Sequence, residues 1–188
     1  MSATLLPEQQ RAIDYLAKKG TGATADRLRE QLRDAFAAAE RAFDDVPAEL
    51  RESAPAPGKW CAHEIMDHLV LSHGPAIPQF ESLLKGMSPD GVAIPADLHR
   101  DDRPEWNECR NQLGEIHREL ERLMDTASDD LSLDAKAVTE IVVKVDGKPL
   151  YWYERLDWKA FIQGVRVHTI EHQNQLARTL AGLEARRP

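Results

Sequence analysis

The sequence lacks any run of about 18 consecutive apolar residues, so no segment is expected to span a membrane. It lacks an excess of positive charge. Its 24 Lys and Arg stand against 32 Asp and Glu, giving a formal net charge of −8 and a pI near 5.4. No basic face is evident, which argues against a nucleic-acid partner. It is poor in cysteine: Cys61 and Cys109 are the two, and they form no C-x-x-C or similar metal-ligand spacing. Reduced thiols in a cytoplasmic protein are the expectation. Met1 to Pro7 lacks the charged-then-apolar pattern of a signal peptide. There is no internal repeat and no low-complexity stretch. What is present is 42% hydrophobic and 30% charged residues over 188 positions, enough to bury a real core in a single domain spanning 1–188.

The apolar spacing is mostly helical. Residues 7–19 read as a leading helix closed by Gly20, with 1–23 as leading helix and linker before a bundle at about 24–184. Thr24 or Asp26 can cap a helix to Asp45, whose inner stripe is Leu28, Leu32, Ala35, Phe36, Ala39 and Phe43. A proline- and glycine-bearing loop leads to Trp60 and a helix over 62–84, which Pro75 and Pro78 should kink or break near Gly74. Residues 85–103 form a long irregular connection. Pro104 suits the first position of a helix running to Thr126, striped by Trp106, Cys109, Leu113, Ile116, Leu120 and Leu123. The β-branched run 141–145, the Asp146–Gly147 turn and aromatic 149–153 read as a β-hairpin. Asp157 caps the last helix, to about Leu183.

That last helix carries His168 and His172, four residues apart and in phase with Phe161, Val165, Leu176 and Leu180. Residues at i and i+4 share a helix face, so two imidazoles there can grip one metal ion. Buried core histidines, each with its own hydrogen-bond partner, are the competing reading, and the pair alone leaves both open. Five other histidines are present. His63, His68 and His73 are five apart, about 140° of rotation per step, so they cannot share a face. His68 fits an inner stripe with Ile65, Leu69 and Ser72, whereas His63 and His73 are expected at the surface. His99 lies in the long connection, and His117, beside Glu115, Arg118 and Glu119, is expected to be solvated.

The stretch Trp60-Cys61-Ala62-His63-Glu64-Ile65-Met66-Asp67-His68-Leu69 resembles the tryptophan-led second-helix motif of the DinB-like superfamily. His168-Thr169-Ile170-Glu171-His172-Gln173-Asn174-Gln175-Leu176 resembles that superfamily's closing motif, and the resemblance covers roughly 24–184. It implies an all-α fold: a DinB-like four-helix bundle, here with an extra N-terminal helix, a long loop between the second and third bundle helices and a small β-hairpin before the last. It implies one divalent metal (nickel, zinc or iron) held by His68, His168 and His172. Characterised members include bacillithiol S-transferases and mycothiol-dependent maleylpyruvate isomerases, and many others are labelled metal-dependent hydrolases.

Three neutral imidazoles leave coordination positions open, as catalytic sites do. An open divalent ion can favour a thiolate at neutral pH or activate water. The leading expectation is a transferase that activates a low-molecular-weight thiol for attack on an electrophile. The alternatives are a metal-dependent hydrolase and a non-catalytic binding module. Partners are a small-molecule substrate and no nucleic acid or membrane, with a homodimer considered. Glu64 and Glu171 are candidates to orient ligand histidines. Trp60 and Trp152 are candidates to wall a pocket, with hairpin Tyr151 and Tyr153 beside them. Cys109, on an apolar stripe, reads as an inert core thiol.

Overall fold

The computed structural model describes residues 5–93, 100 and 102–186 of the chain. Among them are six α-helices and three strands: α1 (Pro7–Leu16), α2 (Ala25–Asp44), α3 (Ala62–His73), α4 (Ala76–Leu84), β1 (Val92–Ala93), α5 (Trp106–Asp125), β2 (Ala137–Val145), β3 (Lys148–Leu156) and α6 (Trp158–Glu184). No helix among the described residues is long and apolar enough to cross a membrane.

Local chemistry sets the boundaries. Thr24 Oγ1 accepts the Arg27 N–H to start α2, and Asp157 accepts from the amides of Lys159 and Ala160 to start α6. Cys61 and Glu64 cap α3 reciprocally: Glu64 accepts the Cys61 N–H and Cys61 Sγ accepts the Glu64 N–H. The break expected near Gly74 is real, since Pro75 cannot continue the ladder and α4 restarts at Ala76. Helix α5 begins two residues later than its proline suggests, with Glu105 as cap and Pro104 just outside.

Helices α2, α3, α5 and α6 make the four-helix bundle. Helix α2 packs on α5 and α6, and α3 packs on the same two, so the order around the bundle is α2–α5–α3–α6. Helix α3 therefore has a bundle neighbour on both sides. Its residues from Ala62 to His73 are buried with the exceptions of Glu64 and Leu71. Two apolar clusters stack along the bundle. One holds Phe36, Phe80, Trp158, Phe161 and Val165. The other holds Phe43, Ile65, Met66, Leu69, Leu113 and Leu176. Each such large side chain, fully buried, contributes about 1.5–3 kcal/mol. Val165 belongs to the first cluster and Leu176 to the second, so residues 168 and 172 fall between them.

Two additions lie against the bundle. After α1 the chain makes a π-turn (Ala17–Thr21) that brings Gly20 onto the start of α6. A Cβ at Gly20 would lie 2.6 Å from Ala160 Cα, so only glycine permits this approach. The hairpin β2–β3 pairs Ala137 with Leu156 through Val145 with Lys148. Its two turn residues, Asp146 and Gly147, both have positive φ (49° and 78°), the type I′ geometry that matches strand twist. The 85–103 connection is not irregular throughout: β1 adds to β2 in parallel as a third strand, Val92 opposite Val138. Two residues of pairing are too few to leave a periodic signal in the sequence.

Candidate metal centre

Three imidazoles converge between the apolar clusters. His168 and His172 project from one face of α6, and His68 reaches them from α3. His168 Nε2 lies 3.1 Å from His68 Nε2 and 3.1 Å from His172 Nε2. Three like atoms facing one another are poorly satisfied by neutral rings with one proton each, and well satisfied by a shared cation. At metal–nitrogen distances of about 2.0–2.1 Å, two nitrogens on a tetrahedral ion stand about 3.3 Å apart and on an octahedral ion about 2.9 Å. The observed separation falls between. This is the group of His, Cys, Asp or Glu side chains among the described residues whose donor atoms lie within 4.8 Å of one another.

Two of the rings, His168 and His172, are held neutral, the form in which an imidazole can bind a metal. Burial, then the neighbouring histidines, push His168 well below the ordinary imidazole value. Burial and His68 bring His172 down to about 3, against a small opposing effect from Gln175. The remote nitrogens are also engaged. His172 Nδ1–H donates to Gln175 Oε1 at 2.9 Å, and His168 Nδ1 pairs with His73 Nε2 at 3.1 Å. Trp60 stacks on His172 (ring centroids 6.1 Å, 13° between planes) and leans on His68 at 5.0 Å.

Above the rings is a cavity of about 390 Å³, walled by Tyr15 and Leu16 of the leading helix, Ile141, Val143 and Tyr151 of the hairpin, and Trp60. Glu140 and Glu171 line it, and none of the described lining residues is Lys or Arg, though Lys144 and Arg178 act on Glu171 from nearby. The sequence left open whether α1 covers the bundle; it forms one wall, fixed in part by Gln163 donating to the Tyr15 hydroxyl at 3.1 Å.

The remaining expectations fare unevenly. His68, His168, His172 and Trp60 come together as described. Glu64 is occupied with the α3 cap and with Arg103, at 3.4 Å, and is not seen on a ligand ring. Glu171 borders the cavity, its carboxyl raised by burial, and leaves the orienting of His172 to Gln175. Trp152 is not among the cavity residues; Tyr151, next to it and on the opposite strand face, is. His63 and His73 are not at the surface but 5% and 0% exposed, and His117 is 1% exposed rather than solvated. His63 Nδ1 bonds Glu52, and His117 Nδ1 bonds Glu40 at 2.8 Å under a Phe36 ring stacked 3.8 Å away. His99 lies outside the described residues. Cys109 is fully buried, as expected of a core thiol.

The signals for the missed histidines were present. Helix α3 carries apolar residues on more than one face, with Ile65, Met66, Leu69 and Val70 in adjacent pairs, which marks a helix with more than one buried side. His117 is in phase with Leu113, Leu120 and Met124.

Comparison with protein-family models and with curated protein sequences found no match. Among solved structures, YfiT from Bacillus subtilis, described as a probable metal-dependent hydrolase with an unusual four-helix bundle topology, is similar over 96% of this chain and 93% of its own. The TM-score is 0.55 and the sequence identity 17%. At that identity the likeness shows the fold, a four-helix bundle.

Proposed function

We propose that the chain is a divalent-metal-dependent enzyme whose ligands are His68, His168 and His172, and that its reaction is hydrolysis of a small, largely apolar substrate. The observation that carries this reading is the convergence of three Nε2 atoms at the floor of a cavity. Neutral imidazoles suit zinc, nickel or iron. When bound, such an ion supplies Lewis acidity and favours deprotonation of water. Gln175 orients His172, and Trp60 closes the side of the site against bulk water.

The cavity wall bears on the substrate. Apolar side chains from α1 and the hairpin would hold a hydrocarbon or aromatic group. Glu171 borders the same space with its carboxyl raised by burial and with Lys144 and Arg178 acting on it from nearby. Hydrolysis is put first because the similar YfiT is described as a probable metal-dependent hydrolase. Thiol transfer is the second reading, because the same three ligands leave room for a thiolate.

The test begins with protein purified without a metal-affinity tag. Elemental analysis should find close to one equivalent of zinc, nickel or iron, and His172→Ala should lose it with helical content kept. Metal below a few tenths of an equivalent, unchanged by adding those ions, overturns the metal reading. Esters, lactones and amides with apolar acyl groups should be cleaved without added thiol. A rate that requires thiol and an electrophile would replace hydrolysis with transfer.

A further inference from the structure

Beyond the three converging nitrogens, the bundle interior holds two more histidines that the proposed reaction does not use. His73 on α3 and His117 on α5 are among its most deeply buried polar side chains. Each has one satisfied ring nitrogen and one buried nitrogen without a partner: Nδ1 of His73 and Nε2 of His117. Burying an imidazole with an open valence costs stability, so the pair calls for an explanation.

The directions of the hydrogen bonds supply one. If His168 presents its Nε2 lone pair to a metal, its proton must sit on Nδ1. That N–H donates to His73 Nε2, 3.1 Å away, which must be the unprotonated nitrogen. The His73 proton is then on Nδ1, an unpartnered donor. From the other end, Glu40 is held as a carboxylate by His117 and by Arg110 at 3.2 Å. It accepts from His117 Nδ1–H at 2.8 Å, so the lone pair of His117 is on Nε2, an unpartnered acceptor. The donor and the acceptor stand on neighbouring rings with centroids 5.9 Å apart, against 5.3 Å for the bonded pair His73 and His168. The series therefore has hydrogen bonds at its two ends, His168 to His73 and His117 to Glu40, and between them a ring contact without a hydrogen bond.

We propose that His73 is a positioning residue for the metal ligand His168, and that His117 and Glu40 behind it fix the tautomer in which His73 can accept. The inference rests on the metal reading above, from which the His168 tautomer is deduced, and the tautomers themselves can be measured on the metal-free chain. A carboxylate behind a ligand histidine fixes its orientation and raises its basicity. Here the imidazole of His73 stands in that place, and His117, held by Glu40, turns an unshared Nε2 lone pair into the same buried interior, where a proton on His73 Nδ1 is favoured.

The closing experiment has two readouts, zinc affinity by calorimetry and histidine tautomers by ¹⁵N NMR of the metal-free full-length protein. The wild type should show His168 and His73 both protonated on Nδ1. His73→Leu removes the acceptor, and zinc affinity should fall roughly 10–100-fold while His168 shifts toward the Nε2–H form. His73→Gln, whose carboxamide oxygen can accept in place of Nε2, should restore most of the affinity. Glu40→Gln should loosen the His73 tautomer and weaken zinc binding in the same direction. The proposal is overturned by His168 protonated on Nε2 in the wild type, or by a folded His73→Leu with unchanged zinc affinity. Should His73→Leu not fold, the wild-type tautomers and His73→Gln decide alone. A wild type that binds no zinc yet shows the Nδ1 tautomers defeats the metal reading and leaves the positioning geometry standing.

Discussion

At the scale of the residue, the two cysteines illustrate how burial decides reactivity. Cys109 Sγ lies 3.8 Å from Asp67, and burial followed by that carboxylate pushes its thiol up to about 12. Cys61 caps α3, and burial raises its thiol as well. The thiolate is the reactive form. Native protein at pH 8 should therefore give almost no fast reaction with a thiol reagent such as Ellman's, and two equivalents after denaturation. Rapid modification of folded protein would show that these thiols are accessible after all. The histidines teach a different lesson at the same scale. His168 and His172 were legible because i, i+4 spacing on an apolar stripe is itself the geometry of a shared ligand. His73 was not, because a single inner face was assumed for α3, and a helix with bundle neighbours on both sides has more than one. Gln175 was part of the motif, but nothing in its spacing alone says which histidine it would serve.

At the scale of the element, the bundle and its additions divide the labour. Helices α3 and α6 supply the converging nitrogens. The leading helix and the hairpin, both outside the four bundle helices, supply most of the cavity wall. Gly20 is the joint between one addition and the bundle. Gly20→Val drives a side chain into the α6 backbone at Ala160, and should cost about 1–3 kcal/mol by forcing the chains apart. Because Tyr15 and Leu16 move with that turn, affinity for apolar ligands should weaken while zinc affinity holds. Calorimetry with each would check it; parallel loss of zinc would mean that α1 also supports the metal ligands. The hairpin was legible from β-branched residues and an Asp–Gly turn. Its facing was not, since Tyr151 and Trp152 are equally aromatic and residues of both strand faces border the cavity: Tyr151 does so with its partner Val142, and Ile141 does so although its partner Trp152 does not.

At the scale of the whole molecule, the buried imidazoles set the response to acid. His73, His168 and His172 all have folded-state values below the ordinary one near 6.5, with burial the first cause in each. Between that value and their lowered ones, the unfolded chain takes up protons that the folded chain refuses. Stability of the metal-free protein is therefore insensitive to these groups above about pH 6.5 and is lost as pH falls below it, by at most about 1.4 kcal/mol per pH unit for each histidine. Urea midpoints measured from pH 8 to pH 4 should show that decline, and a replacement of His172 by Gln should flatten it. Midpoints that stay level to pH 5 would mean the rings are more hydrated than their burial indicates.

The ligands come from places a hundred positions apart in the chain, His68 and His168. Any ion they share is thus a removable cross-link, a clasp that ties the second bundle helix to the last and closes a loop through most of the fold. Its contribution scales with supply: about 2.7 kcal/mol when free ion is a hundredfold above its dissociation constant, and nothing when it is scarce. The persistence of the folded chain would then register how much metal its surroundings hold.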